Sequence, residues 1–220
     1  MENRGGGMKS HPSKSRGFTL VELLVVIGIV GLMMALVMPA FRGMGRTAAM
    51  GSAVAQVRSS LSLARQWAIT KRDSVTIGFI DAENVKTFPD QKYRTARSYA
   101  IWYGSPAVYL KEWTTLPPGI VFATNGTHFS AASNSDNVFL VNTLAAVPFP
   151  TATSATIQNF HYIRFRTDGR LANGANRNLY LMDAVLDENG QILTASAGGP
   201  RYQIEVQHLT GQIRVLDRAQ

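Results

Sequence analysis

The chain has 220 residues, with 22 Lys and Arg against 14 Asp and Glu, and a formal net charge of +8. Charged residues make up 16% and hydrophobic ones 45%, enough apolar material for a real core, so neither a disulfide-stapled miniprotein nor a disordered acidic tail fits. It has no cysteine, which excludes thiol nucleophiles, cysteine-ligated zinc and disulfides and leaves the redox compartment open.

The charge is unevenly spread. Residues 1–17 carry Arg4, Lys9, Lys14 and Arg16 against Glu2, and residues 18–71 carry Arg42, Arg46, Arg58, Arg65 and Lys71 against Glu22. Residues 72–220 hold thirteen basic and twelve acidic residues. The basic excess therefore sits in the first third, and a pI near 10.0 does not by itself imply a nucleic-acid partner.

The first predicted element is apolar. Phe18 to Met38 contains one ionisable side chain, Glu22, and Leu23 to Phe41 contains none. As a helix this run covers about 31 Å, close to the hydrocarbon thickness of a bilayer. A buried core helix and a secretory signal are the rivals, since Lys9, Lys14 and Arg16 would serve as a positive n-region. The run is longer than a usual h-region, however, and no Ala-x-Ala site follows it. The expectation is a membrane anchor over 18–41 with the Arg16 side cytoplasmic.

Across its start the chain reads Ser15-Arg16-Gly17-Phe18-Thr19-Leu20-Val21-Glu22-Leu23-Leu24-Val25-Val26-Ile27. This resembles the type III signal of type IV pilins and type II secretion pseudopilins, a glycine followed by Phe-Thr-Leu-x-Glu-Leu-Leu-Val-Val-Ile. The resemblance implies that a prepilin peptidase cleaves between Gly17 and Phe18 and methylates the new amino group of Phe18, making 1–17 a leader. A carboxylate inside a bilayer by itself marks a functional position; the family's role for Glu22 is assembly, pairing with the N-terminal amine of a neighbouring subunit. Met8 is an alternative start to Met1. Gly5, Gly6 and Gly7 are no phosphate loop, since no strand precedes them.

Pro39 matches the pilin kink proline, which removes a backbone bond and bends the helix. Gly43, Gly45 and Gly51 should weaken the helix that follows. Met50, Val54, Val57, Leu61, Ala64 and Ala68 then form an apolar seam at helical spacing. The prediction is one helix from Phe18 to Thr70, with 18–41 in the membrane and 42–71 its soluble half.

From Ser74 onward short β runs are expected: Ser74–Ile80, Tyr99–Tyr103, Val108–Trp113, Ile120–Ala123, Val138–Asn142, Tyr162–Arg166, Leu179–Met182, Tyr202–Gln207 and Gln212–Leu216. Pro117-Pro118-Gly119, Asp168-Gly169 and Thr210-Gly211 punctuate them, and the last pair closes the chain as a hairpin. Ala131–Asp136 and Pro148–Ala155 read as loops. The fold class is α+β: a long N-terminal helix packed on an antiparallel sheet formed by 72–220. Several segments resemble the GspH/FimT branch of minor pilins and pseudopilins, in that branch's order: Leu61–Ile69 with Val75-Thr-Ile77, Leu116–Ile120, Phe165–Gly169, Tyr202–Val206 and Leu209–Gly211.

No catalytic chemistry emerges. His11, His128, His161 and His208 lack metal spacing, and there is no nucleophile elbow, zinc helix or phosphate loop. Asp183, Asp187 and Glu188 read as a strand end and turn, while Trp67, Trp102, Trp113 and Tyr99 read as core or interface. No enzyme, metal or cofactor is implied. The resemblance implies a structural subunit, a minor pilin or minor pseudopilin. Its expected partners are the prepilin peptidase, other pilins or pseudopilins and the bacterial inner membrane, with the C-terminal domain periplasmic and the subunit in a filament after assembly. The alternative is a minor pilin binding DNA in natural transformation through a C-terminal Gly-Arg-x-Arg pattern. Here that position reads Gly211-Gln212-Ile213-Arg214, leaving Arg201, Arg214 and Arg218 as DNA contacts, diluted by Glu205 and Asp217.

Overall fold

The computed structural model describes residues 18–81, 93–124, 136–140, 144–149, 151, 154, 157–187, 192–195 and 201–218, with the side chains of 35–44, 144, 157–158 and 194–195 outside that description. The elements are α1 (Leu20–Lys71), β1 (Val75–Phe79), β2 (Ser98–Tyr103), β3 (Val108–Thr115), β4 (Ile120–Phe122), β5 (Leu144–Pro148), β6 (Ile157–Phe165), β7 (Arg177–Leu186), β8 (Ile192–Ala195), β9 (Arg201–Val206) and β10 (Ile213–Asp217). Two compact units result, Met1–Gly43 and Met44–Gln220.

In the second unit the C-terminal half of α1 buries one stripe, Met50, Ala53, Val57, Leu61, Ala64 and Ala68. Ala53 takes the place expected for Val54, which is half-buried at the edge of the stripe. The helix ends at Lys71, and Arg72 follows in the left-handed region at φ 55°, the usual conformation just past a helix C-terminus.

The strands form two antiparallel sheets rather than the single one expected. The first has the order β3-β2-β1-β6-β5; the second has β10-β9-β7-β4, with β8 also pairing β7. Alternate residues decide the layering. Val75, Ile77 and Phe79, Tyr99 and Ile101, and Ile163 and Phe165 pack with the α1 stripe and with Leu179, Leu181, Ile204 and Val206 of the second sheet in one core. Ala96, at φ 49°, joins the sheets: its N–H donates to Ile80 O and its carbonyl accepts from Phe122 N.

The opposite face of the first sheet carries a second core of Trp102, Trp113, Phe149, Phe160, Ala145 and Val147. Its geometry comes from β6 overrunning β1. Phe79 pairs with His161, and Pro148 of β5 pairs with Ile157 further along. Yet Tyr109 of β3 donates its hydroxyl to Pro148 O at 2.6 Å. The β5–β6 end therefore curls back over β2 and β3 and closes on the aromatic rings. Gly78 belongs to this arrangement, since a Cβ there would run into the Trp102 ring.

Three expectations need correction. Val138–Leu140 is a turn, not a strand, because the Asn137 side chain accepts from Phe139 N at 3.1 Å and donates to Ala123 O at 3.2 Å, bending the chain locally; 141–142 lie outside the described residues. Strands β5 and β8 were not expected, since Leu-Ala-Ala-Val-Pro and Ile-Leu-Thr-Ala have weak local β signals and are strands through their pairing with β6 and β7. Pro148, taken as a loop start, ends β5. Ala131–Ser135 lies outside the described residues.

Candidate functional site

The helix N-terminus is built by its own sequence. Thr19 stands just before α1; its hydroxyl oxygen accepts from Glu22 N at 3.2 Å, and Glu22 Oε2 accepts from Thr19 N and from the Thr19 hydroxyl, both at 2.9 Å. This is a capping box, in which residue and backbone donors are satisfied reciprocally and the carboxylate lies where the helix dipole favours it. Glu22 Oε1 has no partner among the described residues. Thr19 is the residue that the reading of the signal passed over, although Thr-x-x-Glu ahead of an apolar run is a recognisable pattern.

Of the cleavage pair, Gly17 lies outside the described residues and Phe18 is 81% exposed. Leu20, Leu23, Leu24, Ile27, Leu32 and Met33 are exposed as well. A helix apolar on every side is stable only in apolar surroundings. Among the described residues no helix is long and apolar enough to cross a membrane; the expected span, 18–41, runs into residues 35–44, whose side chains lie outside the description. Pro39 stands inside α1, which continues on both sides of it.

The three C-terminal arginines come together on one face of the second sheet. Arg214 pairs across β10–β9 with Glu205, and the Arg218 N–H donates to Arg201 O at 2.7 Å. Arg201, Gln203 and Glu205 alternate with the core-facing Tyr202, Ile204 and Val206, so all three arginines share the outer face. Their charge is partly met there: Arg218 Nε donates to Gln203 Oε1 at 2.9 Å, and Glu205 stands opposite Arg214 while accepting from Asn176.

Residues far apart in sequence also converge on Arg65 of α1. Its Nε donates to Gly169 O at 3.3 Å and an Nη to Thr210 O at 2.8 Å. Gly169 and Gly211, at φ 78° and 63°, bring the β6–β7 and β9–β10 turns against the helix. Arg65 lies at the seam's edge and pins two turns, which no local pattern signals.

Among the described residues no group of His, Asp or Glu could hold a metal ion. His161 Nε2 lies 3.0 Å from Asp81, His208 Nδ1 lies 3.2 Å from Asn176 Oδ1, and Asp183, within β7 rather than at its end, pairs with Arg46 at 3.5 Å. His11, His128 and Glu188 lie outside the described residues. Trp102, Trp113 and Tyr99 are core residues, while Trp67 is half-buried against the Tyr103 ring.

The prokaryotic N-terminal methylation motif matches residues 12–38. No curated protein matches the chain. Among solved structures it is similar to the crystal structure of the type IV minor pilin FimU of Pseudomonas aeruginosa (strain PAO1), with 14% identity, coverage of 78% of this chain and 90% of that chain, and a TM-score of 0.39. The matched motif runs into the first part of α1, the long helix that the antiparallel sheets follow.

Proposed function

We propose that the chain is a minor pilin or minor pseudopilin of the GspH/FimT type, a structural subunit and not an enzyme. In this reading a prepilin peptidase cuts between Gly17 and Phe18 and methylates Phe18. Residues 18–41, bent at Pro39, anchor the subunit in the bacterial inner membrane with residues 72–220 in the periplasm, and Glu22 pairs with the terminal amine of a neighbouring pilin in a pilus or type II secretion pseudopilus. The observation that carries the reading is the methylation motif over 12–38, which runs onto a helix whose side chains are apolar and exposed from Leu20 to Met34 apart from the capped Glu22. The GspH/FimT assignment is supported by the meeting of three of its segments at Arg65, Gly169 and Thr210. Replacing Gly17 by Trp should abolish the shift to the mature size when the chain is expressed with the peptidase; wild-type processing would refute the reading. Glu22→Ala should be processed normally but fail to enter filaments, and normal incorporation would refute the assembly role.

A second reading, DNA binding, draws support from Arg201, Arg214 and Arg218 sharing one face. It requires retention of duplex DNA that weakens steeply with salt and is lost in Arg214→Glu. Absent or salt-independent retention removes it.

A further inference from the structure

The curl of the first sheet leaves part of its outer face uncovered. Ala145 and Val147 of β5 pack with Trp102 and Phe160, and Thr76 and Arg164, paired across β1–β6 on the same face, line the space beside them. Here a cleft of about 600 Å³ opens between the Gly104–Ala107 turn on one side and Ala145–Pro148 on the other, with Thr76, Trp102 and Arg164 as its floor. Its size is that of sites which enclose a small ligand or a short stretch of peptide.

Two features of the cleft specify what it would take. The first is Arg164. Its Nε donates to Thr76 Oγ1 at 2.9 Å, and its guanidinium lies over the Tyr162 ring, 4.7 Å from the centroid. These contacts fix the plane of the group and leave its two terminal nitrogens without a partner among the described residues. Asp73 also lines the cleft, but it accepts from Ser74 N and makes no ion pair with Arg164 among the described residues. A planar guanidinium held this way is preorganised for a carboxylate.

The second feature is the strand edge. Side chains of a strand point alternately to opposite faces, and β5 obeys this, with Ala145 and Val147 buried and Ala146 exposed. Four consecutive residues, Ala145, Ala146, Val147 and Pro148, nevertheless line the same cleft, so the strand turns its backbone as well as its side chains toward it. That edge pairs with no strand among the described residues, β5 being last in its sheet. An open edge is a template for a further strand.

We propose that this cleft binds an extended peptide segment of a partner protein, added as a strand along β5, with an acidic side chain of the segment on Arg164. The site goes beyond the pilin reading and does not depend on it: it lies wholly within residues 73–164 and uses neither the signal nor the N-terminal helix.

The test uses the full chain in detergent micelles and three fluorescein-labelled peptides read by fluorescence polarisation: TVEVT, its neutral counterpart TVQVT, and TVEVT with N-methylated backbone amides. TVEVT should bind about ten-fold more tightly than TVQVT, and the difference should vanish in Arg164→Gln. The N-methylated peptide, unable to pair with a strand edge, should not bind. Equal binding of TVEVT and TVQVT to the unaltered chain would overturn the proposal without recourse to any variant, as would absence of binding at millimolar peptide. Retention of the difference in an Arg164→Gln chain with native near-UV circular dichroism would overturn the role of Arg164. Full binding of the N-methylated peptide would make the cleft a plain anion pocket and overturn strand addition. Prepilin processing is measured separately, so failure here and failure of the pilin reading are distinguishable.

Discussion

Replacing Gly211 by alanine tests the junction at Arg65, because a matched glycine separates the backbone cost from the packing cost. Gly211 and Gly174 have nearly the same backbone, φ 63° and 66°. A Cβ on Gly174 meets nothing within 4 Å, whereas one on Gly211 would collide with Gly169 O and reach 2.9 Å from Arg65 Nε. Both variants place an L-residue in the left-handed region, at about 1–2 kcal/mol. Only Gly211→Ala adds the overpacking term, about 1–3 kcal/mol, and displaces an arginine that bonds Gly169 O and Thr210 O, for about 1 kcal/mol more. The expected losses are about 1–2 kcal/mol for Gly174→Ala and about 3–6 kcal/mol for Gly211→Ala. At about 2–4 °C per kcal/mol for a chain of this size, Tm should fall by about 2–8 °C in the first and by about 6–24 °C in the second, about three times as far at any one slope. Near-UV circular dichroism suits the measurement, since Trp67, Trp102 and Trp113 all lie in the unit from Met44 to Gln220. Equal shifts in the two variants would refute the claim that the β9–β10 turn is pressed against Arg65.

Other substitutions test other contacts. Ser60, 3% exposed, bonds the Tyr99 hydroxyl at 3.0 Å and receives Lys111 Nζ at 3.1 Å, so Ser60→Ala should cost about 1–2 kcal/mol, read as a lower urea midpoint at unchanged slope; an unchanged midpoint would show that the network adds nothing. Burial pushes the Tyr109 phenol up to about 12, the bond from Trp113 Nε1 opposing it in part. A folded pKa above the unfolded value of about 10 gives stability that is complete below pH 10 and is lost as pH rises through 12. The fall in Tm over that window should therefore be smaller in Tyr109→Phe, and an identical fall would reject the link. Thr19→Ala removes the hydroxyl of the capping box for about 1 kcal/mol, so amide exchange in the first turn of α1 should quicken about five-fold, and unchanged exchange would mean the box does not hold in solution.

Much of this molecule is legible residue by residue. The long helix and the capping box depend on neighbours within one turn, so spacing makes them legible, and the N-terminal signal is legible through its resemblance to a known motif. The period-two strands at Val75–Phe79 and Tyr202–Val206 are equally local, because their alternation states which side faces a core. What the sequence could not show is where distant segments meet. Arg65 bonds carbonyls 104 and 145 residues away; the short, alanine-rich β5 is a strand only because β6 overruns β1 and offers it a partner. The partition of the described strands into two sheets, the gathering of Arg201, Arg214 and Arg218 on one face and the cleft above Arg164 follow from strand order and curl. The sequence by itself thus determined the long helix with its N-terminal methylation motif and the α+β class, since these rest on local pattern and propensity. The tertiary structure alone decided the surfaces through which the β domain would meet a partner, because they are assembled by long-range pairing that no local pattern encodes.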